Sequence, residues 1–132
     1  MKVGNIFGVV GAVHLRLIFY KMNNKYYFKT VHQIWKDYHT WFIFSNNGVA
    51  SCKISVYDDN PTDCVISDLY VHETFRNQGY ATELLKICNK VAKADGCTTI
   101  SLRSDQDDWV RDWYKRLNFE VVSSQVWLTK NI

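Results

Sequence analysis

Residues Phe75 to Leu85 read FRNQGYATELL, and they stand between a short apolar run, CVISDLYV, and a long amphipathic one. A loop of glycine and small or polar residues between a strand and a helix exposes successive backbone N–H groups. The helix that follows adds the positive end of its dipole, so the two together form a cradle for an anion. Phosphate is the natural ligand of such a cradle. Gly79 removes the Cβ that would hold a phosphate off the backbone, Ala81 keeps the first turn narrow, Thr82 offers a hydroxyl and Arg76 a cation. A glycine at a strand-to-helix turn is also what a plain change of direction requires, so the flanking elements decide what the loop means.

The helix after the loop spans about Gly79 to Asp95, with Leu84, Leu85, Cys88, Val91 and Ala92 on one face and Gly96 placed to end it in left-handed geometry. CVISDLYV before it and TTISLRS after it both read as strands, the second with Ile100 and Leu102 pointing one way. The strand–helix–strand run has the length of a crossover between parallel strands. DDWVRDWYKRLNF predicts a short helix buried through Trp109, Val110, Trp113 and Leu117, and FEVVSS with QVWLTK predicts a closing strand pair.

Nearer the amino terminus, alternation from Val13 to Tyr20 predicts a first strand. KYYFKTVHQIWKDYH places Tyr27, Val31, Ile34, Trp35 and Tyr38 three and four apart, which predicts a helix with an aromatic face. WFIFSNNGVASCKISVYDD reads as a hairpin turning at Asn46, Asn47 and Gly48, and DDNPTD, which holds the single proline Pro61, as a loop. The pattern is that of one α/β domain over residues 1–132, a mixed sheet with helices on both faces.

Composition excludes several classes of function. The net charge of +3 is small and its lysines and arginines are scattered, which gives no basic stripe for a nucleic acid. Cys52, Cys64, Cys88 and Cys97 form no C-x-x-C pair and have no histidine at zinc-finger spacing, so they read as buried free thiols of a reducing compartment rather than metal ligands. His14 and Arg16 break the apolar amino-terminal run short of the roughly 20 residues a membrane span needs. Asp58, Asp59, Asp63, Asp105 and Asp108 fall in loops that could gather around a cationic ligand.

The segment RNQGYA, Arg76 to Ala81, matches the Q/R-x-x-G-x-G/A signature of the Gcn5-related N-acetyltransferases, and resembles that family in context too, since the signature there joins the fourth strand to a long helix. SDLYVHETFR looks like the fourth strand and its exit, TTISLRS like the fifth, and WYKRLNFEVV like the family's Y-x-x-x-G-F segment, with Tyr114 and Phe119 in register. VWLTK resembles the last strand, and the resemblance runs over about Cys64 to Lys130. It implies a mostly antiparallel mixed sheet of about six to seven strands, with a parallel splayed pair in the middle and helices on both faces.

The same resemblance implies transfer of the acetyl group of acetyl-coenzyme A (acetyl-CoA) to a primary amine in the cytoplasm, by a monomer or homodimer. The cofactor would be held by Leu69, Tyr70, Val71, Arg76, Asn77, Gln78, Gly79, Tyr80, Ala81 and Thr82, its pyrophosphate on backbone amides of about Gln78 to Thr82 and its thioester against the Leu69 and Val71 backbone. Tyr114 resembles the tyrosine that protonates the departing thiolate. Ser67 stands where some members carry a basic glutamate, which leaves the neighbouring Asp68, through a bulge or a water, as the base; without that base, an acetyl-CoA-binding module with weak turnover is the alternative. His72 reads as loop structure. Glu73, Asn77 and Asn118 depart from the family pattern at a proline, a small residue and a glycine, and Asp107, where many members have asparagine, suits a helix N-cap.

Overall fold

The computed structural model describes residues 2–6, 15–22, 25–103, 108–121 and 127–132. The expectations placed on Val13, His14, Asp105 and Asp107 lie outside these residues, as do the side chains of Asp108, Trp109 and Val110. The elements are β1 (Lys2–Ile6), β2 (Leu15–Lys21), β3 (Tyr27–Ile34), β4 (Tyr38–Ser45), β5 (Ala50–Tyr57), β6 (Asn60–Val71), α1 (Tyr80–Ala94), β7 (Thr99–Arg103), α2 (Asp108–Arg116), β8 (Glu120–Val121) and β9 (Trp127–Asn131). They form one sheet in the order β1-β2-β3-β4-β5-β6-β7-β9-β8, in which β6 and β7 are the parallel pair and every other pairing is antiparallel. The class of fold is the mixed, mostly antiparallel sheet expected, with nine strands among the described residues instead of six to seven.

One extra strand comes from the segment read as an aromatic helix. Tyr27–Ile34 is β3, hydrogen-bonded between β2 and β4, and a tight turn closed by Trp35 N–H to Tyr38 C=O (2.9 Å) leads into β4. Phe28 and Thr30 are buried while Tyr27, Lys29 and Val31 are half-buried, so the alternating period of two wins over the spacing of three and four. Aromatic and β-branched residues pack well on a pleated surface once strands are available on both sides, and that tertiary fact overrides the helical spacing. The DDNPTD loop is corrected in the same way: Asp58 and Asp59 make a tight turn, and Asn60 already belongs to the twelve-residue strand β6.

The β4–β5 hairpin turns as its residues dictate. Gly48 takes φ +75°, Gly48 N–H donates to the Ser45 carbonyl at 3.0 Å, and the buried Ser45 hydroxyl accepts from the N–H groups of Val49 and Ala50 at 3.2 and 3.1 Å. Helix α1 buries Leu84, Leu85, Ile87, Cys88, Val91 and Ala92 against the β5–β6 face. It ends at Gly96, whose φ of +88° is the left-handed geometry a chain reversal needs there. Ile43, Ile54, Cys64, Ile100 and Leu128 complete the core below α1, with Cys52 and Cys88 touching at 3.6 Å as free thiols. Burial drives the Cys64 thiol up and Cys97 to about 11, while the contact with Cys52, and then burial, drives Cys88 up, which makes all three inert packing residues.

Helix α2 lies on the same face as α1, since its Tyr114 packs into the core that holds Cys52 and Cys88. The opposite face of β3–β6, where helices were expected as well, has no α-helix among the described residues, whose α-helices are α1 and α2. Asp63, read as a loop residue, is instead a clasp of the parallel pair: its carboxylate accepts from the hydroxyls of Thr99 (2.6 Å) and Ser101 (2.9 Å). Asp58, Asp59 and Asp63 sit at the start of β6, whose twelve residues span roughly 36 Å, so they stand at the far end from the loop that follows Val71.

Candidate active site

Two local departures from regular strand geometry open the sheet at the end of β6. Lys53 of β5 pairs with Ser67 while Ser51 pairs with Tyr70, so β6 carries one residue too many there, and Asp68 takes φ +55° at the resulting bulge. The pairing with β7 stops just before it, at Ile66 opposite Leu102, although β6 continues to Val71. The carboxyl half of β6 is therefore bound to β5 on one edge and open on the other.

His72 N–H donates to the Val49 carbonyl beside β5 (2.7 Å), so by alternation the N–H and C=O of Val71, and those of Leu69 two residues earlier, point into the opening. The Val71 carbonyl already accepts from Arg76 Nε at 3.2 Å, which draws the arginine back across the opening and leaves the two N–H groups as its donors. A 3₁₀ turn over Glu73–Phe75 carries the chain to the loop, capped by His72, whose Nδ1 lies 2.6 Å from the Thr74 hydroxyl and accepts from Thr74 N–H. His72 is loop structure, as its position suggested.

At the start of α1, Asn77 (φ +61°) and Gly79 (φ +88°) both take left-handed angles. Gly79 has no side chain to cap the helix, and the first intrahelical bond from this end is Glu83 N–H to the Gly79 carbonyl at 3.0 Å, so the N–H groups of Tyr80, Ala81 and Thr82 face out of the helix end. A Cβ at Gly79 would meet no atom within 4 Å. Tyr80 itself is buried: its hydroxyl accepts from Asn47 Nδ2 at 3.0 Å, and its ring meets Phe28 and Phe75 edge-on at 6.2 and 6.0 Å. The helix start is thereby tied to the β4–β5 turn.

These pieces line one cleft of about 590 Å³. Its walls are Leu69, Tyr70 and Val71 from β6, Arg76, Asn77, Gly79, Tyr80, Ala81 and Thr82 from the loop and helix start, and Tyr114 from α2. Two residues the sequence did not single out join them, Phe75 and Trp113. An apolar ring inside an otherwise polar turn was the signal for Phe75; Trp113 carried none beyond its place beside Tyr114. Gln78 is absent from the walls, its amide donating instead to the Thr74 carbonyl at 3.3 Å. Asp68 is absent as well: the bulge turns its exposed carboxylate to the far face of the sheet, 4.0 Å from Lys53 Nζ.

Tyr114 is 8% exposed, packed edge-on against Phe119 (5.7 Å) and Trp113 (5.0 Å). Burial, with smaller contributions from Cys52 and Cys88, pushes its phenol up to about 12, so it keeps its proton throughout the neutral and mildly alkaline range. A group of at least three histidine, cysteine or acidic residues able to hold a metal is absent among the described residues.

A mixed sheet opened beside an uncapped helix start, with the protonated phenol of Tyr114 in the cleft wall, is the α/β arrangement that the Arg76–Ala81 motif led one to expect. The sequence matches the Acetyltransferase (GNAT) family over residues 12–119, and the chain belongs to that family. No curated protein matches it. Among solved structures, it is similar to a GNAT-family acetyltransferase of Staphylococcus aureus Mu50, with a TM-score of 0.59 and 15% identity over 71% of this chain and 67% of that one. A GNAT-family acetyltransferase of Elizabethkingia anophelis with acetyl-CoA bound gives a TM-score of 0.58 and 16% identity over 73% and 77%. PaiA N-acetyltransferase of Thermoplasma acidophilum in complex with coenzyme A gives 0.59 and 15% over 73% and 62%. At these identities the likeness is one of fold.

Proposed function

We propose that the chain transfers the acetyl group of acetyl-CoA to a primary amine of a small molecule or peptide, with Tyr114 as the acid and Asp68 as the base. The observation that carries this reading is the single cleft that gathers the open edge of β6, the uncapped start of α1 and Tyr114. The acetyl-CoA and coenzyme A bound by two of the structural relatives support the choice of cofactor.

The N–H groups of Tyr80, Ala81 and Thr82, with the helix dipole behind them, bind the pyrophosphate, and Arg76 adds positive charge beside it. The Leu69 and Val71 N–H groups bind the acyl arm along the open edge, and one of them donates to the thioester oxygen as it becomes an oxyanion. A donor of this kind is worth about 10²- to 10³-fold in rate. Tyr114 gives its proton to the leaving sulfur. Four buried free thiols suit a cytoplasmic enzyme, and no helix among the described residues is long and apolar enough to cross a membrane.

Thermal melts with and without acetyl-CoA, followed by thiol release over a series of amines, test the proposal. Gly79→Val puts a branched side chain where the pyrophosphate binds, at a left-handed angle that costs an L-residue roughly 1–2 kcal/mol. It should abolish stabilisation by acetyl-CoA while the circular dichroism stays native. Full stabilisation in a folded Gly79→Val protein would place the pyrophosphate elsewhere.

A further inference from the structure

On the face of the sheet opposite the helices, the exposed large hydrophobic residues among those described are Phe42, Tyr57 and Tyr70. Phe42 stands beside Lys53 across the β4–β5 ladder, and Lys53 stands beside Ser67 and the bulge at Asp68. Tyr70 belongs both to this face and to the cleft wall, so the face continues through the opening to where the thioester is placed.

Asp68 and Lys53 form a loose pair 4.0 Å apart with both groups open to solvent, 82% and 38% exposed. Asp68 is held there in a left-handed conformation that a non-glycine residue adopts only at a cost, and such strain persists where surrounding structure enforces it, often at functional sites. A carboxylate beside an ammonium is the charge image of an α-amino acid, whose own ammonium and carboxylate lie side by side. A plain cationic amine would gain Asp68 and be repelled by Lys53. A zwitterion engages both.

We propose, resting on the acetyl-transfer reading, that the acceptor is a free aromatic α-amino acid, bound on this face with its amine at Asp68, its carboxylate at Lys53 and its ring between Phe42 and Tyr70. The ammonium gives one proton to Asp68. The neutral nitrogen then forms the C–N bond to the acetyl carbon as the C–S bond breaks, its second proton passes to water, and the sulfur takes the proton of Tyr114, which water replaces.

The experiment measures thiol release from acetyl-CoA with L-tryptophan, tryptamine, L-alanine and spermidine, beside a thermal melt that reads acetyl-CoA binding alone. The native protein should use L-tryptophan with a kcat/KM at least about tenfold above tryptamine, which lacks the carboxylate, and above L-alanine, which lacks the ring. Lys53→Met should bring the ratio of L-tryptophan to tryptamine down to about one through KM, by removing the one group that tells them apart. If acetyl-CoA stabilises the protein and spermidine, tryptamine or L-alanine is used as well as L-tryptophan, or none of the four is used, the acceptor proposal falls and acetyl-CoA binding stands. If acetyl-CoA does not bind, both fall together.

Discussion

Tyr114 combines two properties that pull against each other, since a residue buried to 8% exposure in an aromatic cluster still reaches the cleft. Burial keeps the phenol protonated, so that in the proposed transfer a proton is in place for the departing sulfur. Tyr114→Phe should lower kcat by about tenfold or more and leave the acetyl-CoA-dependent melting shift nearly unchanged, because the hydroxyl is needed as charge develops on sulfur. The same burial sets an alkaline limit. With the folded phenol at about 12 and an unfolded one near 10, the unfolded chain loses the proton first, so the contribution is whole below pH 10 and is lost as pH rises through 12. Urea unfolding between pH 9 and 12 should show a steeper loss of stability in the native protein than in Tyr114→Phe, approaching roughly 2–3 kcal/mol of difference. Asp68 is the opposite case, an exposed carboxylate whose position comes from the backbone alone. Asp68→Asn should cost at least about tenfold in turnover and flatten the rise of rate with pH through the neutral range. An unchanged profile would remove Asp68 as the base and point to an amine that arrives neutral.

At the scale of elements, the parallel pair β6–β7 must be firm at one end and open at the other. Asp63 fixes the firm end by accepting from Thr99 and Ser101, and the Asp68 bulge opens the other. Asp63→Ala removes both hydrogen bonds, and since Ser101 retains Thr129 as a partner the cost should be about 1–3 kcal/mol in urea unfolding. The cleft lies at the far end of β6, so the acetyl-CoA affinity of the folded protein should not change. A matching loss of affinity would mean that the opening depends on the clasp.

Across the whole molecule, the β4–β5 turn and the start of α1 are joined by the bond from Asn47 to the Tyr80 hydroxyl, although the two residues are 33 apart in sequence. Asn47→Ala leaves that buried hydroxyl without its donor and should cost about 1 kcal/mol in thermal or urea unfolding, with weaker acetyl-CoA binding through a looser helix start. At the other end of α1, His39 pairs with Asp95 at 3.1 Å and lies 2.8 Å from His32, which stacks on Trp41 at 4.2 Å, so the helix is held to β3 and β4 at both termini. The Asp95 carboxyl is raised by burial, partly offset by His39.

What the sequence determined by itself is what short-range physics controls. The Asn46–Asn47–Gly48 turn, the span of α1 and its Gly96 stop, the Ile100 and Leu102 strand, and the loop from Arg76 to Thr82 each follow from backbone angles or side-chain period within a few residues. Nine of the ten residues named for the cofactor, and Tyr114 with them, line one cleft because motif spacing already encoded their order. The segment from Tyr27 to Tyr38 was not legible, since its aromatic spacing satisfies a helix and a strand alike, and only the ladders from β2 and β4 decide between them. The bulge at Asp68 has no local signature either: it exists as a mismatch of register with β5, and it alone sends that carboxylate to the far face. The clasp at Asp63 and the open aromatic face were likewise decided by which strands came to lie side by side, a matter of long-range pairing that no window of neighbouring residues contains.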